Sequence, residues 1–206
     1  MNDYFSIVCV DLLALAYSPD ENKVRLGLVQ RDAYPYTGEI ALPGVVVVSG
    51  ERLVAAAERA AEKLGVGPAT GFGQLRTFDE PHRDPRGPSL SVAMWATFPA
   101  SALETGVWVD LDKVPDLPFD HNLIVQNGLE VLAGQLWRDR AFSAGLTGPT
   151  FSAADAVAIT AQVTGVEPHR ANLNRVLDSH EHLKRIAVEE DRRSRVGRPG
   201  AIRAWT

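Results

Sequence analysis

Cysteine is almost missing from these 206 residues: Cys9 stands alone, so no disulfide can form within the sequence, and a reducing cytoplasm fits. Cys9 reads as core packing. Aromatics are sparse at 7%, and no apolar run reaches the length needed to cross a bilayer. The opening MNDYFSIVCVDLLALAYS has no basic stretch ahead of its apolar part and carries Asp11 inside it, so it reads as a first strand and not as a signal peptide. There are no repeats and no low-complexity tracts. The chain is therefore expected to be a soluble protein with no membrane partner, long enough for one large domain or two small ones.

Positive charge is lacking in most of the chain and gathered at one end. Residues 1–149 hold 12 Lys and Arg against 19 Asp and Glu, a net of −7; residues 150–206 hold 9 against 7, a net of +2. Within residues 184–203 the balance is 7 against 3. An acidic body with a basic module suits two parts with different partners, and a solvated charged tail is the plainer alternative.

Two β-rich runs, IVCVDLLALAYS and KVRLGLVQR, flank the turn-forming SPDEN. Residues 40–48 hold a strand and a turn at Pro43-Gly44. Residues 51–64 predict a helix stopped by Gly65. GQLRTFDE and SLSVAMWATF predict a strand pair, joined by the proline-rich PHRDPRGP. VWVDLDKVP is a short strand and loop, and HNLIVQNGLEVLAGQLWRDR a second long helix with apolar residues at helical spacing. The segment AGLTGPT (144–150) has no apolar period and marks a domain boundary. Beyond it Ser152 can cap a helix ending at Gly165, and Pro168 can open another over 168–180, with Leu173, Val176 and Leu177 turned inward. IAV and AIRAW then read as short strands around a basic turn. Helix, helix, hairpin is the order of a winged helix-turn-helix.

Residues 38–67, GEIALPGVVVVSGERLVAAAERAAEKLGVG, resemble the Nudix box, the strand–loop–helix that holds catalytic magnesium in Nudix hydrolases. Magnesium wants carboxylate oxygens, and the box supplies four glutamates. Here they are mostly missing. With Glu51 and Arg59 matched to the front of the motif, the other glutamate positions hold Ala60, Lys63 and Leu64. Matched on Gly65-Val66, they hold Gly50, Arg59, Glu62 and Lys63. Either register puts an ammonium where a cation ligand belongs. Read without the motif, Glu51, Glu58, Arg59, Glu62 and Lys63 are a solvated helix face.

Four stretches carry a resemblance to the Nudix-related transcriptional regulators of the NrtR family: ALPGVVV with SGERL, TFDEPHRDPRGPSLSVAMWATF, LPFDHNLIV and GRPGAIRAW. The resemblance implies a Nudix α/β/α sandwich over residues 1–145, followed by a small winged helix-turn-helix domain over 150–206. It implies a homodimer, double-stranded operator DNA as partner, and ADP-ribose or a related nucleotide as effector, with no cofactor or metal required. The function implied is repression of NAD-metabolism or pentose-related genes by a catalytically inactive sensor. The alternatives are an active pyrophosphatase on ADP-ribose or a nucleoside diphosphate sugar, with glutamates from outside the box such as Glu80, Asp79 or Glu104, and a signalling module for another nucleotide.

Candidate ligand contacts follow from residue chemistry. Arg83 and Arg86 can fork onto phosphate, or can brace their loop against Asp79, Glu80 and Asp84. Tyr36 or Phe78 can stack on a base, or belong to the core. Asp120 can cap the second helix, and with His121 can line the pocket. His121 has no second His or Cys at ligand spacing, which argues against zinc. On the DNA side, His169, Arg170, Asn172, Asn174 and Arg175 form a candidate recognition face, since Arg reads guanine and Asn adenine. Lys184, Arg185, Arg192, Arg193, Arg195 and Arg198 supply charge for phosphates, Arg198 for a minor groove.

Overall fold

In the computed structural model, residues 6–186 and 202–206 are described. Strand β1 (Ile7–Ser18) is the spine of the larger sheet. It runs parallel to β6 (Ser89–Phe98) over ten paired residues, and antiparallel to β2 (Lys23–Gln30) and β4 (Gly44–Val46). Short β3 (Ile40–Ala41) and β7 (Val107–Asp110) pair with β2, and β5 (Gly71–Phe78) with β6.

Because strand side chains alternate, β1 feeds two cores. Val10, Leu12, Ala14 and Ala16 face one side, where they meet α1 (Leu53–Glu62). That helix buries Ala56, Ala57, Ala60 and Ala61, small side chains that let it lie close to the sheet. Leu13, Leu15 and Tyr17 face the other side, against α2 (His121–Gln135) and α4 (Ala153–Thr164). A strand covered on both faces needs apolar residues on both, which explains the long apolar run of β1, interrupted at Asp11. The result is the expected α/β/α sandwich.

The C-terminal part holds α4, α5 (Arg170–Asp178) and a three-stranded sheet ordered β8 (Thr150–Ser152), β10 (Ile202–Trp205), β9 (Leu183–Ile186). Ser152 caps α4 in a reciprocal box with Asp155, and Gly165 ends it at φ +71°. The expected winged helix-turn-helix order is present.

Local readings differ in several places. The segment 144–150 is not structureless: α3 (Arg140–Thr147) covers half of it, capped by Asp139, and β8 follows. Glycines and a proline hid the helix, whose Phe142 and Leu146 are buried. Helix α1 starts two residues later and ends two earlier than expected, and α5 spans 170–178, with His169 rather than Pro168 at its entry. Strand β9 begins at Leu183, ahead of the IAV run. Val176 is half-exposed instead of turned inward.

Helix α4 joins the two parts. Its Gln162 accepts from the Val24 amide at 2.9 Å and donates to the Asn22 carbonyl at 2.9 Å. Tyr17 donates to Asp155 at 2.9 Å, and Trp137 to Thr160 at 2.9 Å. Ile159, Leu173 and Leu177 belong to the same buried cluster as Leu13 and Leu26.

Candidate functional site

A cleft opens where β1, β4, the end of α1, the loop after β5 and the start of α2 converge. It is an open cleft with an accessible volume of about 180 Å³, lined by Asp11, Arg31, Gly44, Lys63, Arg83, Asp84, Arg86, Phe119 and His121, among others.

Asp11 is its floor. It is a carboxylate inside β1, 6% exposed. Burial pushes its pKa up, but His121 and Arg83 more than reverse this and hold the carboxyl below the usual range. Gly44 approaches so closely that a Cβ there would lie 2.3 Å from Asp11 Oδ1, so the turn at Pro43-Gly44 needs glycine. His121 Nδ1 accepts from the Leu42 amide at 3.1 Å and Nε2 faces Asp11 at 3.6 Å. Cys9, packed beside Asp11, has its thiol pushed up to about 11, mainly by burial.

Arg83 is buried with two carboxylates. Its Nη2 donates to Asp11 at 3.0 Å, and Nε and Nη2 donate to Asp120 at 2.9 and 2.7 Å. The bracing partners are thus Asp11 and Asp120, not Asp79 or Glu80. Asp120 enters α2 without capping it, because its side chain is engaged by Arg83. Arg86 pairs with Asp84 through Nε and Nη2, the shortest contact 2.6 Å, as the bracing alternative expects. Both arginines still line the cleft.

Phe78 is a core residue, 5% exposed, in the cluster with Trp95 and Leu13. Tyr36 sits at φ +62° and packs edge-on against Phe119 at 4.8 Å. Phe119 and Tyr34 both line the cleft, and the Arg31 guanidinium lies 4.8 Å from the Phe119 ring centre. Asp11, Arg31 and Phe119 were not expected from sequence. The one available signal was a carboxylate amid the apolar β1 run, since such groups are seldom buried unpaired.

Glu51 and Arg59, the two residues on which the front register is matched, are paired in the structure. Arg59 donates to Glu51 through Nε at 2.7 Å and Nη2 at 2.8 Å, and Glu51 also accepts from the Val48 amide. These bonds hold Glu51 below the usual carboxylate range and fasten the loop to α1. Ala60 and Leu64 are then buried and offer no donor. Glu58 and Glu62 line a different surface groove with Gly65 and Phe72, and Asp79 and Glu80 another with His82. Among the described residues no group of three or more His, Cys, Asp or Glu is placed to hold a metal. The donor set at the box does not fit magnesium.

On α5, His169, Arg170, Asn172 and Arg175 are exposed, and Arg175 donates to Asn172 at 3.1 Å. Asn174 is half-buried and accepts from Arg203 at 2.9 Å, so its side chain serves packing between α5 and β10. Arg203, 1% exposed, also donates to Asp178, which pairs in turn with Arg185. Lys184 is exposed. Arg192, Arg193, Arg195 and Arg198 lie outside the described residues. No helix among the described residues is long and apolar enough to cross a membrane.

No protein-family model matches the chain. Over 138 residues it is 31% identical to the ADPR responsive transcriptional repressor NtrR of Acinetobacter baylyi, covering 61% of this chain and 54% of that one. Over 114 residues it is 32% identical to an ADP-ribose pyrophosphatase of Methanocaldococcus jannaschii, covering 52% and 66%. The matches thus span between half and two thirds of these relatives. In architecture it resembles Shewanella oneidensis NrtR with a TM-score of 0.75 at 23% identity, covering 98% of this chain and 94% of that one. That protein has also been solved with a 27mer DNA, and its NUDIX domain with ADP ribose. The chain thus has a Nudix-like α/β fold, and its architecture follows that of Shewanella oneidensis NrtR from end to end.

Proposed function

We propose that this protein is a DNA-binding repressor whose Nudix part, residues 1–145, senses ADP-ribose or a related nucleotide, and whose part 150–206 binds operator DNA. The observation that carries this reading is one chain holding both a cation-lined cleft unsuited to magnesium and an outward-facing helix bearing His169, Arg170, Asn172 and Arg175. Arg83 and Arg86 border the place where a diphosphate sits, and Phe119 offers a ring to a base. His121 orients Asp11 and the Leu42 backbone at the cleft floor.

The regulated genes belong to NAD or pentose metabolism, and the working unit is a homodimer. Helix α4 supports coupling, since it touches both β2 and α5, but ligand can act through it only by favouring one arrangement over another. The test is a gel shift on the gene's own upstream region with and without ADP-ribose. A shift that ADP-ribose alters supports the sensor; a shift indifferent to every adenine nucleotide, or no shift at all, refutes it.

The likeness to an ADP-ribose pyrophosphatase favours a second reading, turnover of the same ligand. It requires carboxylates at the box, where this chain has Ala60, Lys63 and Leu64.

A further inference from the structure

Helix α1 presents only one charged side chain to the cleft. Glu58 and Glu62 line the groove on its other side, and Glu51 is taken by Arg59. Lys63, the residue that closes α1, lines the cleft together with Arg83 and Arg86. Its Nζ donates to the Gly44 carbonyl at 2.7 Å. Gly44 is the residue pressed against Asp11, so the ammonium is pinned beside the cleft floor. A lysine at a helix end commonly serves its own helix's carbonyls. This one bonds instead to another element, across the cleft wall.

The neighbouring carboxylates leave this ammonium alone. Asp11 and Asp120 are engaged by Arg83, and Asp84 by Arg86. Among the described residues no carboxylate lies within ion-pair distance of Lys63. An ammonium carries three protons, and one bond to a neutral carbonyl leaves two to donate.

We propose that Lys63 Nζ supplies here the positive charge that a divalent cation supplies in a metal-dependent diphosphate site. The chain would then bind a nucleoside diphosphate through lysine and without metal. This rests on the reading of the cleft as the ligand site. A diphosphate brings two or more negative charges, and Lys63, exposed at the rim of the cleft and held by the Gly44 carbonyl, can neutralise part of them. The same cation repels magnesium from that place. Lysine suits the role as a compact point charge with rotatable donors. It binds the oxyanion yet cannot activate water as a metal does, so binding is separated from hydrolysis.

The test is calorimetry on the full chain, with ADP-ribose and with inorganic pyrophosphate as separate probes, each in chelator and in magnesium. Wild type, Lys63→Arg and Lys63→Gln are compared after thermal melts have shown all three folded. Wild type is expected to bind both probes in chelator, with no tightening by magnesium. Lys63→Gln should weaken both by roughly tenfold to hundredfold, the loss of one charge-assisted hydrogen bond, and Lys63→Arg should retain most of the affinity. Unchanged affinity in Lys63→Gln, or binding that needs magnesium, overturns the proposal. If pyrophosphate binds through Lys63 and ADP-ribose does not, the effector reading falls and this one stands. If neither probe binds wild type, both fall.

Discussion

Arg83 and Asp120, 37 residues apart in the chain, meet through two parallel bonds of 2.9 and 2.7 Å. The same guanidinium reaches Asp11 on β1. Three segments are thereby joined at the cleft: the spine of the sheet, the loop after β5 and the entry to α2. The arginine and both carboxylates are almost wholly buried. A buried pair adds little net stability, but removing one member leaves a charge unpaired in a medium that cannot solvate it.

Arg83→Ala is therefore expected to lower folding stability by about 3–5 kcal/mol. Urea melts measure this directly. Arg86, a third exposed and paired with a single aspartate, should cost much less when replaced by alanine. If the two variants lose the same stability, the Asp11–Arg83–Asp120 cluster does not hold the fold together.

Acid should weaken the same cluster. Asp11 and Asp84 are both raised by burial but lowered further by their partners, His121 and Arg83 for Asp11 and Arg86 for Asp84, so their folded pKa values lie below the unfolded ones. The unfolded chain then binds more protons in acid. Their contribution is complete above about pH 4 and is lost as pH falls through the folded values. Urea midpoints taken from pH 6 downward should hold until about pH 4 and then drop, with a shallower drop in Asp84→Asn. An equal slope in that variant would remove Asp84 from the account.

Much of the sheet was legible because strand burial writes itself as alternation or as a long apolar run. Helix α1 was legible for the opposite period, and Ser152 and Gly165 marked both ends of α4. The cleft was not legible in the same way. Asp120 looks locally like a helix cap, and the cap was lost to a tertiary partner 37 residues away. Phe78 and Phe119 are both aromatic residues next to turns, and only packing separates the core residue from the cleft residue. Asn174 fits a recognition face by type and spacing, yet the buried Arg203 draws it inward. Helix α3 was hidden because Gly145 and the Gly148-Pro149 that follow the helix read as loop; Gly145 is there for close approach, with Thr97 Oγ1 only 2.1 Å from where a Cβ would stand.

No appreciable turnover of ADP-ribose is expected. At the box, Ala60 and Leu64 have no oxygen to offer and Lys63 repels a divalent ion. Incubation with magnesium followed by chromatography should return intact ligand. AMP released at enzyme-like rates, roughly 1–10³ per second, would mean that carboxylates elsewhere in the cleft assemble a metal site on ligand binding.

Binding to DNA should divide by residue along the C-terminal part. Arg170 and Arg175 are exposed on α5, where a recognition helix meets base edges, so alanine at either should relax sequence preference at a cost of about 1–3 kcal/mol per contacted base. Asn174→Ala should act differently: it removes a partner of buried Arg203 and should lower the stability of the α5–β10 packing before it alters specificity. Arg195→Ala should weaken all sequences alike and flatten the salt dependence. One small module presents too little basic surface for tight specific binding, so a dimer reading two half-sites about one helical turn apart, or a multiple of it, is expected. Footprinting on the upstream region, with the salt slope measured for each variant, separates these effects. A chain truncated near Thr150 that still protects the operator would place the DNA reader in the sandwich instead.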